Sequence, residues 1–245
     1  MAELKFITPD WPAPINVKAF CSTRGGGFSC RPYDSLNVGE HVGDDLNLVY
    51  ANRDLLPQTQ DIVWLNQNHS TTSVELTRSS KQKIAADASY TTKVGIVCAV
   101  MSADCLPILL CNKSGSLVAA IHAGWKGLAA GIIENTVQNF VSDKNEILAW
   151  LGPAISQAHF EVGDNVYAAL GDYPGAFIPN KQPDKYRANL YQIAREKLAA
   201  AGVYDIYGGN HCTYGESKLF FSHRRSTHEG LHHTGRMVSA IYLDS

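Results

Sequence analysis

Apolar residues along this chain fall into short runs punctuated by glycine, proline, asparagine and serine. The runs NVKAFCST, DIVWLNQ, SVELT, VGIVCAVM, LPILLC, SLVAAIH and EILAWLG have the length and the bounding residues of β-strands. Two longer stretches, GLAAGIIENTVQNFV and RANLYQIAREKLAAAGV, repeat apolar residues three and four positions apart and predict helices. The second stops at Gly202, a residue suited to the left-handed turn that ends many helices. FEVGDNVYAALG predicts a third helix. In the final run, GRMVSAIYL, Met237, Ala240 and Ile241 recur at helical spacing, so a helix is expected there too. Strands and helices intermix, which places the chain in the α/β or α+β class. Without repeats or a low-complexity linker, residues 1–245 are expected to form one domain.

Three polar residues interrupt or follow these apolar runs. His69 follows WLNQ, Cys105 lies in SADCLPILLC beside Asp104, and His122 comes at the end of SLVAAIH before Ala123-Gly124-Trp125. In a layered sheet the ends of neighbouring strands converge on one edge, so these side chains can meet although they are far apart in sequence. Two imidazoles and a thiolate suit zinc, a borderline-soft ion with a tetrahedral preference, and three protein ligands leave one position open, as in catalytic sites. Copper would bind the same donors. The same residues also suit a cysteine hydrolase, with Cys105 as nucleophile and His122 or His69 as base. Asp104 is a candidate proton carrier, or else a residue that orients a ligand or caps a turn.

A phosphate site needs an arginine fork and free backbone N–H groups. Arg24 precedes Gly25, Gly26 and Gly27, and FSHRRSTHEGLHHTGR carries Arg224, Arg225 and Arg236. HAGWKGLAAG departs from the spacing of a nucleoside-triphosphate loop, and a tight turn freeing His122 accounts for its glycines. Trp125 is placed either to stack on a purine or to fill the core.

Bulk properties narrow the picture further. A net charge of −2 over 245 residues disfavours nucleic acid or a membrane surface as partner. No stretch approaches the ~20 apolar residues of a membrane span. MAELKFITPDWPAP lacks a basic region followed by an apolar one, so a cytoplasmic location is expected. The six cysteines include no C-x-x-C pair, and Cys98 and Cys111, inside apolar runs, read as small buried hydrophobes. The nine histidines include no H-x-H. P-C-x-x-C, required for a cytidine-deaminase zinc site, is also absent.

Several short motifs occur together and in order: STRGGG, SLNVGEHVGDD, NR at 52–53, NQNHS, ADA at 86–88, SADCLPILL, HAGWKG, LGPAI, FEVG, CT at 212–213, FFSHRR and the late TGR. In this the chain resembles the laccase-domain, or YfiH-like, family from about Ala19 to Leu243. Members were first described as polyphenol oxidoreductases and are understood as zinc-dependent purine nucleoside phosphorylases with adenosine deaminase activity. The resemblance implies a layered α/β sandwich with mixed sheets flanked by helices. It implies zinc on His69, Cys105 and His122, and it makes Arg24, Gln67 and Arg225 candidates for substrate or phosphate contacts. Purine nucleosides (adenosine, inosine, guanosine or methylthioadenosine) and phosphate are the expected small-molecule partners, for a monomer or small homo-oligomer. Where the family shows an NQVHG-type motif, Asn68 and Ser70 here replace the apolar residue and the glycine. Copper-dependent polyphenol oxidation and a protein-binding role are the rival functions.

Overall fold

The computed structural model describes residues 3–79, 83–140, 144–173 and 175–245. Met1 and Ala2 of the opening segment, and Val141 at the end of the first predicted helix, lie outside them. In chain order the strands begin β1 (Phe6–Ile7), β2 (Val17–Ser22), β3 (Ile62–Val63), β4 (Leu65–Asn66), β5 (Ser73–Glu75), β6 (Ile84–Ala85), β7 (Ala88–Thr91) and β8 (Val97–Ser102). They continue β9 (Leu106–Asn112), β10 (Val118–Ala123), β11 (Ile147–Leu151), β12 (Glu161–Gly163), β13 (Phe177–Pro179), β14 (Lys185–Ala188), β15 (Asp205–Gly208) and β16 (Met237–Leu243). The helices are α1 (Leu46–Arg53), α2 (Trp125–Ala130), α3 (Ile132–Val137), α4 (Asp164–Leu170), α5 (Leu190–Ala200) and α6 (His223–His228).

Two large sheets carry the molecule. One has the order β1-β2-β16-β8-β3 and the other β15-β11-β9-β10-β7-β5. They pack face to face: Val17, Cys21, Cys98, Val100, Ile241 and Leu243 of the first meet Leu109, Cys111, Val118, Ala120, Leu148 and Trp150 of the second. The far side of the six-stranded sheet, with Leu106, Ile108, Leu110, Ala119 and Ile121, is covered by α2, α3, α4 and α5. The far side of the five-stranded sheet packs on Val38 and Leu56. The fold is thus a mixed α/β sandwich: the intermixed runs give the α/β class, and the layered sandwich is what the family resemblance implies. Strands buried on both faces have no polar side to show, which is why LPILLC reads as continuous apolar sequence.

In FEVGDNVYAALG, Glu161–Gly163 form β12 and the expected helix begins only at Asp164. Burial on both faces explains why the final run, expected as a helix, is a strand. Residues 237–243 form β16, in the middle of the five-stranded sheet and antiparallel to both β2 and β8. Val238 and Ala240 face one core and Ile241 and Leu243 the other. With both faces apolar, period two is hidden, and accidental helical spacing is left in view. Elsewhere the runs hold with local breaks. DIVWLNQ divides between β3 and β4, which belong to different sheets. The predicted helix from Gly127 is interrupted at Gly131, whose φ of 99° ends α2 and starts α3. α5 starts with the Asn189 side chain accepting from Gln192 N–H, and Gly202 beyond its end has φ 89°. Among the described residues no helix is long and apolar enough to cross a membrane.

Candidate metal centre

The chain leaves the five-stranded sheet at Ser102 and enters the six-stranded sheet at Leu106. Ala103, Asp104 and Cys105 make this crossing. Asp104 has φ 93°, in the left-handed region that costs a non-glycine residue about 1–3 kcal/mol. It is held there from three sides. Thr213 Oγ1 donates to Asp104 Oδ1 at 2.6 Å, Arg224 N–H to Oδ2 at 2.6 Å, and Ile155 N–H to the Asp104 carbonyl at 3.0 Å. Of the two roles considered for Asp104, this geometry matches the orienting one: both oxygens are engaged in fixing the turn that presents Cys105.

His122 is the penultimate residue of β10, buried, and it approaches from the neighbouring strand pair. His69 is exposed and comes from the loop after β4, with φ 61°. One carboxylate organises both. Asp87, fully buried just before β7, accepts His122 Nδ1–H at 2.8 Å through Oδ1. It also accepts the main-chain N–H groups of Asn68 (3.2 Å), His69 (3.0 Å) and Ser70 (2.6 Å). Burial alone would raise its pKa, but hydrogen bonds from His122 and Ser70 outweigh that and bring it to about 2. Ser70, one of the two departures from the family pattern, adds its hydroxyl as a further donor to Asp87 Oδ2 at 2.8 Å. Asp87 is the functional residue that the run-by-run reading of the chain missed. Its only sequence signal is a charged residue inside ADA at a strand start.

The outcome is a compact donor set. The nearest ligand atoms of His69, Cys105 and His122 all lie within 4.8 Å of one another. His69 Nε2 is 3.8 Å from Cys105 Sγ, and the imidazole rings lie 4.9 Å apart at 67°. Burial pushes the Cys105 thiol up, yet His122 and His69 beside it bring it down from 9.0 to about 6. Burial disfavours the charged His122 ring, yet the Cys105 sulfur and Asp87 lift it to about 9. Cys105 is therefore poised as thiolate, the form that ligates metal. With Nδ1–H committed to Asp87, His122 turns Nε2 toward the sulfur, the arrangement usual for a metal-binding histidine. Two nitrogens and one sulfur fit zinc, and copper by affinity. Among the described residues this is the one group of at least three histidine, cysteine or acidic donors that closes on a point.

Gly124 follows directly on β10. A Cβ there would lie 2.8 Å from His69 Cδ2 and 3.0 Å from Cys105 Sγ. Gly124→Ala is therefore expected to push one ligand aside and weaken metal affinity by about tenfold or more, with circular dichroism unchanged. Unaltered affinity in a competition titration with a chromogenic chelator would contradict the arrangement.

A cavity of about 230 Å³ opens over the trio. His69, Asp104 and Cys105 form its base, Trp125, Ile155, Phe160 and Leu190 its apolar walls, and His223 and Arg224 its basic side. Arg224 donates to the Glu161 carbonyl at 2.7 Å and lies 5.5 Å from the centre of the Phe160 ring.

The remaining sequence candidates are placed elsewhere. Gln67 exchanges hydrogen bonds with the main chain of Met101, 2.8 Å and 2.7 Å, anchoring the His69 loop to β8. Arg24 binds the carbonyls of Asp34 and Ser217 and the Asp34 carboxylate. Arg225 donates to the carbonyls of Thr213, Tyr214 and Phe220. Both arginines line a separate polar cleft and not the Cys105 cavity. Ser222 caps the short helix α6 by accepting from Arg225 N–H. Within α6 the next-door residue Arg224 faces the cavity, a difference of phase that the string FSHRR does not reveal. The NR motif has a scaffolding use. The Asn52 amide ties Ser29, Ser35 and Asn37 together, and Arg53 binds the Val38 carbonyl and Glu40.

Comparison with known proteins agrees with this architecture. A family model described as multi-copper polyphenol oxidoreductase laccase matches residues 18–244. The chain is 48% identical to the Escherichia coli protein named purine nucleoside phosphorylase YfiH, over 98% of this chain and 99% of that one. It is 44% identical to a Pseudomonas aeruginosa protein also named purine nucleoside phosphorylase, over 97% and 98%. A solved Neisseria meningitidis structure superposes with a TM-score of 0.92 at 44% identity, covering 98% of this chain and 99% of that one. The solved structure of YlmD from Geobacillus stearothermophilus gives 0.87 at 32%, covering 96% and 94%.

Proposed function

Because this chain belongs to the multi-copper polyphenol oxidoreductase laccase family, and relatives nearly half identical to it are named purine nucleoside phosphorylases, we propose that it cleaves purine nucleosides with phosphate. The observation that carries the reading is the closure of His69, Cys105 and His122 on one point beneath a cavity that combines apolar walls with a cationic side. The substrates proposed are adenosine, inosine, guanosine and methylthioadenosine, and the products are the free base and ribose-1-phosphate. The two sheets share one core, which supports reading residues 1–245 as a single domain.

The chain's own residues have distinct tasks in this scheme. Trp125 and Phe160 flank the purine, since flat apolar faces bury a base without demanding hydrogen bonds. Arg224, with one nitrogen committed to Glu161, keeps further N–H groups for an anion, and His223 adds a second donor beside it. Asp104 holds the crossing turn and the start of α6 together, so the sulfur and the cationic side keep a fixed separation. Asp87 fixes the tautomer of His122 and the path of the His69 loop. Zinc held by His69, Cys105 and His122 would supply Lewis-acid activation of water, the chemistry that deamination at purine C6 requires. The one ligand trio among the described residues is too few for the multiple coppers of a true laccase, so zinc-supported nucleoside chemistry is favoured over polyphenol oxidation.

Product analysis on adenosine tests the proposal. With phosphate present, adenine and ribose-1-phosphate are expected; without it, inosine. Phenol oxidation with neither nucleoside product would sink the reading. Arg224→Ala is expected to raise the KM for phosphate by about tenfold, the loss of one charge-assisted contact, with a smaller effect on the nucleoside KM. An equal rise in both would remove Arg224 from the anion site.

A further inference from the structure

Away from the Cys105 cavity, a second sulfur sits beside a second imidazole. Cys212 lies in the turn after β15 and is half-buried. Its Sγ is 3.3 Å from His159 Nδ1. Ser156 Oγ–H donates to the same sulfur at 3.0 Å, and Gly215 N–H at 3.3 Å. The His159 ring is held by stacking on Tyr214, centroids 4.5 Å apart and planes at 20°, and the Tyr214 hydroxyl is 3.1 Å from His228 Nδ1. Glu216 is turned away from the sulfur: its Oε1 accepts Cys212 N–H at 2.6 Å and its Oε2 meets His211 Nδ1 at 2.9 Å. A cleft of about 360 Å³, bordered by Ser156, Asn189, His211 and Cys212, opens beside the group.

These contacts separate Cys212 from the other cysteines outside the metal trio. Cys21, Cys98 and Cys111 are buried and their thiols are pushed up to about 12, so they are inert. Cys30 is exposed. Cys212 alone among them joins access to solvent with an imidazole, a hydroxyl and a main-chain N–H aimed at its sulfur. The cluster does not add a third metal-ligating donor, since the trio at Cys105 is the one such group among the described residues.

We propose that Cys212 is a modification site, a thiol activated by His159 that reacts selectively with small peroxides. In the step, Sγ attacks one oxygen of hydrogen peroxide; an S–O bond forms and the O–O bond breaks. The thiol proton passes to His159 Nδ1 and then to the departing oxygen, which leaves as water. Sulfur gives up two electrons, peroxide takes them, and Cys212 becomes a sulfenic acid. Ser156 and Gly215 stabilise the negative charge that gathers on sulfur as its proton leaves. The site is independent of the phosphorylase reading, because it shares no ligand with the metal trio.

The test treats the purified, metal-loaded protein with hydrogen peroxide in the presence of dimedone and quantifies labelled cysteine peptides by mass spectrometry. Cys212 is expected to label at least about tenfold faster than exposed Cys30, a threshold set below the ~10²–10⁴-fold that a positioned base typically contributes. His159→Gln is expected to bring Cys212 down toward the Cys30 rate and to leave Cys30 unchanged. The proposal is overturned if wild-type Cys212 labels no faster than Cys30, a comparison that needs no variant to fold. It is equally overturned if Cys212 in His159→Gln keeps the wild-type rate.

Discussion

Cys105→Ala is expected to lose the bound ion and nearly all phosphorolysis together. The substitution removes the one sulfur donor and leaves two imidazoles, an incomplete set for a divalent ion. It also removes the negative charge that lifts His122 and accounts for part of the attraction of the site for a cation. Metal content measured by plasma emission is expected to fall from close to one ion per chain to near zero. The kcat/KM for adenosine and phosphate is expected to fall by at least about a hundredfold. Serine at the same position keeps size and a hydroxyl but not a thiolate, and is expected to behave like alanine. A different pattern would revive the cysteine-hydrolase reading: activity that survives exhaustive chelation of the wild type but vanishes in Cys105→Ala would make the sulfur a nucleophile.

The second large effect is expected at Asp87, a residue that touches no substrate. Asp87→Ala leaves three main-chain N–H groups and the His122 Nδ1–H without their acceptor in a buried place. Orphaned buried donors cost about 1–3 kcal/mol each before relaxation, so a loss of about 3 kcal/mol or more in unfolding free energy is expected by denaturant titration. Asp87→Asn is the sharper variant, because it keeps the shape. An amide NH₂ turned toward His122 favours the proton on Nε2, which takes the lone pair away from the metal. Zinc affinity is expected to fall by about 10–100-fold with the far-ultraviolet circular dichroism retained. If Asp87→Asn binds zinc within a factor of about three of wild type, the carboxylate does not set the tautomer.

The cationic side of the cavity illustrates how the place of each arginine in a recognised motif depends on helix phase. FSHRR stands out in the sequence, but which arginine faces the cavity depends on the rotation of α6. That rotation is set by the Ser222 cap and by Asp104 gripping Arg224 N–H from a turn 120 residues earlier. Arg225, pointing the other way, holds the carbonyls of the Cys212 turn. Similarly, Arg24 among its glycines has the composition of an anion loop, but its guanidinium is engaged by Asp34 and Ser217. Partners like these come from distant segments and leave no local trace.

The order of residue types along the chain was enough for the α/β class, for most strands and helices, and for the three ligand candidates; the sandwich followed from the family resemblance. Donor chemistry and strand-end placement belong to individual residues, and they survive whatever the rest of the molecule does. Folding settled what depends on neighbours. It made β16 a strand through pairing on both sides, and it brought Asp87 under two histidines 18 and 35 positions away. It also turned Arg224 toward the Cys105 cavity and Arg225 toward the cleft shared with Arg24. In each case free energy comes from contacts between segments remote in sequence, where hydrogen-bond geometry and packing outweigh local periodicity.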